Sequence, residues 1–114
     1  MDSLSPSDFN LYKNFGMADF LFQLSNSNSF TKKDLKKISI SQFLEANDNF
    51  EKAITENKEK TKVLLAQASG ACEFVNSLDN NLSKTYLKSD LTEIYENKYP
   101  KYHLIDEFLN SIHN

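Results

Sequence analysis

The stretch from Phe50 to Leu82 constrains this chain more than any other. Read at helical spacing, Ile54, Thr61, Leu65, Ala68, Cys72 and Val75 form one apolar seam, with Leu64, Ala71 and Leu78 beside it. Steps of three and four residues put these side chains on one helix face, while Glu56, Lys60, Lys62, Gln67 and Asn76 fall largely elsewhere. The middle of the seam, Ala66 to Cys72, is built from small side chains, which let another helix approach closely. The pattern predicts a long central helix over about residues 49–78, capped at Asn47-Asp48 with Glu51 following. Gly70 inside it costs about 1 kcal/mol relative to Ala, so a close helix contact or a kink is expected there.

A chain of 114 residues fits one domain, here residues 1–114, with a modest core. Aromatic residues make up 12%, chiefly nine Phe and five Tyr, which argues against disorder at a net charge of only -3. Two Gly, two Pro and weak period-two alternation argue against an all-β fold. The predicted class is all-α, a bundle of four to five helices around the central one. No internal repeat or change of composition divides the chain.

Ser5-Pro6-Ser7-Asp8 reads as a helix start, with Ser5 as cap and Pro6 in the first helical position. Phe9, Leu11, Tyr12, Phe15, Ala18, Leu21, Phe22 and Leu24 then wrap much of the helix circumference, as in a helix buried on most sides. A strand through residues 18–24 is the rival reading, and helix is preferred because the cap, Met17, Ala18 and Leu21 agree with it. Asp19 in this run is expected at an exposed edge or beside a Lys. Ser25 to Ser29 is a turn-rich connection. Thr31 and Asp34 form a capping-box pattern, with Phe30 and Leu35 placed as a hydrophobic staple. Leu35, Ile38, Gln42 and Phe43 carry this helix forward, with a break expected near Ser39-Ile40-Ser41. Asp79-Asn80-Asn81 ends the long helix, and Ser89-Asp90 caps another. Pro100 marks a break, and Ile105, Phe108, Leu109 and Ile112 share one face of a last helix, Tyr102 to Ile112.

Catalytic chemistry is poorly supplied. Both histidines, His103 and His113, lie near the end of the sequence, and Cys72 sits in the small-residue seam as a compact hydrophobe. His103 and Glu107, with Asp106 alongside, do not complete a metal set. No phosphate loop, nucleophile elbow or Cys-x-x-Cys is present. The expectation is therefore no enzyme, no cofactor and no metal. A single Cys suits a reducing compartment, and the first residues lack a signal peptide's basic and apolar regions. Met17 to Leu24, the most apolar run, is too short to span a bilayer. A cytoplasmic location is expected, with signal-less secretion left open.

Two surfaces stand out. Tyr86, Tyr95, Tyr99 and Tyr102 interleave with Lys84, Lys88, Lys98 and Lys101, and aromatic residues are enriched at protein interfaces. Lys32, Lys33, Lys36 and Lys37 make the one concentrated basic patch. The predicted partner-contact set is Tyr95, Tyr99, Tyr102, Lys98, Lys101, Lys32, Lys33, Lys36 and Lys37. The function expected is non-enzymatic binding of another protein through a helical surface, as immunity proteins, chaperones, inhibitors or adaptors do, with a homodimer among the options. All thirteen basic residues are Lys, and without Arg sequence-specific nucleic-acid readout is disfavoured. A Lys/Tyr-based nucleic-acid regulator and a small helical metal-binding protein remain the alternatives.

Overall fold

The computed structural model describes residues 6–98, with side chains from residue 8 onward. In chain order the elements are α1 (Pro6–Gln23), β1 (Ser29–Thr31), α2 (Lys32–Lys52), α3 (Thr55–Asn76), β2 (Thr85–Leu87) and α4 (Lys88–Lys98). The class is all-α, and the small sheet is an addition to the expected bundle. The Ser5 cap, the Pro100 break and the last predicted helix lie outside the described residues.

Residues 17–23 are helical, as preferred over a strand on the residue types. The turn at Ser25–Asn28 and the Thr31/Asp34 capping box form as read from the sequence, with Asp34 N–H donating to Thr31 Oγ1 at 3.0 Å. Three expectations about the helices fail. Ser89 and Asp90 do not precede α4 as its cap but lie inside its first turn, since α4 starts at Lys88. The predicted helix over 49–78 is split: α2 runs on through Asn47 and Asp48 to Lys52, and the chain turns at Ala53 and Ile54. Asp48 does not cap a helix there but pairs with Lys52 at 3.0 Å. Ile54, expected in the seam, stands before α3 and is 58% exposed. The break expected near Ser39 does not occur. Ser39 Oγ bonds back to Lys36 O at 3.2 Å, so the hydroxyl is satisfied within the helix.

Gly70 lies within the unbroken α3. It meets the backbone of Lys13 so closely that a Cβ would overlap it, and Gly16 meets the backbone of Gln67 in the same way. These two glycines let α1 and α3 cross nearly backbone to backbone, the close approach that the small seam predicted. Lys13 and Glu73 clamp the crossing with a 2.9 Å ion pair. Below it Phe15, Met17, Phe20, Leu21, Leu35, Phe74, Val75 and Leu91 fill the core, and Phe74 meets the Tyr95 ring edge-on.

The sheet reveals a repeat hidden in the sequence. Strands β1 and β2 pair antiparallel with Phe30 opposite Tyr86. One constant offset relates Phe30-Thr31-Lys32-Lys33-Asp34-Leu35 to Tyr86-Leu87-Lys88-Ser89-Asp90-Leu91. Leu35 and Leu91, equivalent under that offset, are both fully buried. The described residues thus form two helix–loop–strand–helix units, α1 to α2 and α3 to α4, joined through the strand pair and through the crossing of α1 and α3. Only a short motif repeats, which is why no repeat was evident from the sequence.

Candidate functional site

The two connecting loops occupy equivalent places and fold by the same local rules. Ser27 N–H donates to Ser25 Oγ in the first, and Ser83 N–H to Asn81 Oδ1 at 3.0 Å in the second. Asp34 accepts from Thr31 N–H, and Asp90 from Leu87 N–H at 2.9 Å, so each carboxylate closes its strand onto the following helix.

Two lysines cross between the units. Lys32 Nζ donates to Leu78 O, just past the end of α3, at 3.0 Å. Its equivalent in the other unit, Lys88, donates to Phe22 O in the last turn of α1, also at 3.0 Å. Neither α1 nor α3 carries a basic residue in its own last turn, so each receives its cation from the opposite unit. An ammonium there satisfies an open carbonyl and complements the negative end of the helix dipole. Lys32 is 5% exposed. It is therefore spent inside the protein, not at the partner surface the sequence assigned to it.

A helix, a twelve-position loop and a second helix make the frame on which EF-hand calcium sites are built. Such a loop takes carboxylate or amide oxygens at positions 1, 3 and 5, Gly at position 6 and Glu at position 12. Residues 79–90 supply Asp79, Asn81, Ser83, Lys84 and Asp90 at those places, and residues 23–34 supply Gln23, Ser25, Ser27, Asn28 and Asp34. The first loop offers one carboxylate. The second offers two, but Lys84 replaces the glycine and its Nζ lies 3.8 Å from Asp79 Oδ2. With Lys84 and Lys88 against Asp79 and Asp90, the formal charge of this loop is zero. These residues do not fit a calcium ion, and among the described residues no group of three or more His, Cys, Asp or Glu is placed to hold a metal.

The remaining predicted site residues separate. Tyr95 is fully buried, its hydroxyl donating to Asn14 O at 3.2 Å, so it is a core residue and not a contact residue. Tyr86 is buried in the strand pair, and Lys98 is exposed at the end of α4. Tyr99, Tyr102, Lys101 and both histidines lie outside the described residues. Cys72 is half-buried and donates to Ser39 O at 3.3 Å. Burial pushes its thiol above the ordinary value, the opposite of an activated nucleophile, with the Ser39 contact a smaller opposing influence. Asp19 accepts from Gln23 Nε2 at 2.7 Å at an exposed edge.

Lys33, Lys36 and Lys37 do come together, and with apolar company. They rim a hollow of about 460 Å³ floored by Ile40, Leu44 and, from the second loop, Leu82. Lys33 N–H donates to Leu82 O at 3.2 Å and fixes the two sides of the hollow. Ile40, Leu44 and Leu82 are 46%, 60% and 46% exposed. The sequence reading missed them because Leu35 and Ile38 mark a different, inward phase of α2. Ile40 and Leu44 follow Lys33 and Lys37 on a different face, at steps of three and four, and that spacing was the available signal.

No helix among the described residues is long and apolar enough to cross a membrane. No protein-family model matches the chain, and no curated protein or solved structure matches it either.

Proposed function

We propose that this protein is a non-enzymatic protein-binding module that docks a partner segment on the exposed face of α2. The observation that carries this reading is the hollow at Ile40, Leu44 and Leu82, rimmed by Lys33, Lys36 and Lys37. Large aliphatic side chains so exposed lose little by staying in water one at a time, but grouped and bordered by charge they resemble a recognition surface. The apolar floor supplies affinity, and the lysines select orientation and acidic company. The loops serve as struts: the reciprocal Lys32 and Lys88 bonds hold the units together in place of a bound ion. Binding is accordingly constitutive and not gated by calcium.

The test is affinity capture from the native source with the intact protein and with an Ile40→Asp/Leu44→Asp variant of unchanged circular dichroism. A partner retained by the first and lost by the second is expected. The same captured set with both proteins would remove α2 as the binding face.

A further inference from the structure

Resting on the α2 reading, we infer that the segment docked on this face is a second copy of the chain, its α2 running antiparallel to the first. Along the exposed side of α2, Lys33, Lys37, Ile40, Leu44, Asn47 and Glu51 recur at alternating steps of four and three. That is the heptad spacing of a two-helix seam. The order of chemistry along it is the decisive feature: basic at the start, aliphatic in the middle, acidic at the end. A helix of this kind is complementary to itself only when reversed. Antiparallel pairing about the level of Gln42 sets Ile40 against Leu44 of the second copy, Lys33 against Glu51 and Lys37 against Asn47, each contact occurring twice by symmetry. Parallel pairing would oppose Lys33 to Lys33 and Glu51 to Glu51, and like charges face to face are disfavoured.

The surroundings agree with that direction. Leu82 flanks the Lys33 end of the seam and Ile54, 58% exposed, lies past the Glu51 end. Reversal brings the Leu82 end of one copy to the end of the other's α2 that leads into Ile54. Asp34 and Asp48, which border the seam, are already engaged, Asp34 by the Thr31 backbone and Asp48 by Lys52. Two aliphatic layers bury little area, which places the pair at or below the ~1,200 Å² lower bound of stable interfaces and makes it a weak, concentration-dependent dimer.

Sedimentation equilibrium of the full chain, extended to high concentration, tests this with two charge variants. Lys33→Glu/Lys37→Glu carries an all-acidic seam, and Asn47→Lys/Glu51→Lys an all-basic one; all four positions tolerate charge because they face solvent or its margin. Each variant alone is expected to be monomeric, while an equimolar mixture forms a dimer at least as tight as that of the parent. Ile40→Asp/Leu44→Asp abolishes every dimer. A parent that stays monomeric throughout overturns the inference, as does a dimer whose strength ignores the charge variants. Should that monomer still capture a different protein through Ile40 and Leu44, the docking reading stands and only the second copy is wrong; capture indifferent to those residues sinks both.

Discussion

At the start of α2 the backbone is closed from both sides, Thr31 Oγ1 accepting from Asp34 N–H while Asp34 accepts from Thr31 N–H. At the equivalent start of α4, Leu87 stands in the place of Thr31, and only the bond from its N–H to Asp90 survives. The bracing lysines differ in the same sense. Lys32 makes its bond in a buried site, and Lys88 makes the matching bond at the exposed surface. Two units of one design have therefore been finished unequally. The first unit carries the better-capped helix and the buried cation, and it also presents the exposed α2 face. A rigid helix is what a docking surface needs, since a partner then pays no ordering cost on its behalf.

That comparison can be broken first at the feature both units share. Gly70→Leu drives a side chain into the Lys13 backbone, and Gly16→Leu does the same at Gln67. Each is expected to cost about 3 kcal/mol or more, because backbone cannot swing aside as a side chain can. Urea unfolding followed by circular dichroism measures it, and a loss well below that would mean that the crossing is looser than described. The lysines sharpen the contrast. Lys32→Met leaves Leu78 O unsatisfied in a buried place and should cost about 2 kcal/mol. Lys88→Met, whose bond competes with water, should cost under about 1 kcal/mol. Equal losses would contradict the assignment of Lys32 as the principal brace. The missing cap offers a smaller change of opposite sign. Leu87→Thr restores the hydroxyl above Asp90 and is expected to stabilise by about 1 kcal/mol, while Thr31→Ala loses about as much. Thermal midpoints of the two variants on one parent would show both directions.

Local rules made much of this legible beforehand. The capping box at Thr31, the turn at Ser25 and the small residues from Ala66 to Cys72 are decided by neighbours in sequence or by helical phase, and they formed as read. What failed was decided by distance. Of four lysines between residues 32 and 37, only the position of the other unit's Leu78 determines that Lys32 is the one turned inward. Tyr95 looks amphipathic in sequence, and its burial follows from the α1 carbonyl at Asn14 that happens to receive its hydroxyl. Asn47 and Asp48 are residue types that favour caps over helix interiors, yet packing carries α2 straight through them. The repeat was faint because its two copies share the strand-to-helix corner and little else.

The central claim is that the paired units are braced by their own lysines and owe nothing to a divalent ion. Thermal unfolding with excess chelator and with about 1 mM calcium tests it in one experiment. A site binding one-hundredfold tighter than that would add about 2.7 kcal/mol of stability, which in a domain of this size raises the midpoint by roughly 10 °C or more. The account predicts coincident curves. A calcium-dependent rise of that size, lost in Asp79→Ala, would show that the second loop holds an ion after all and would contradict it.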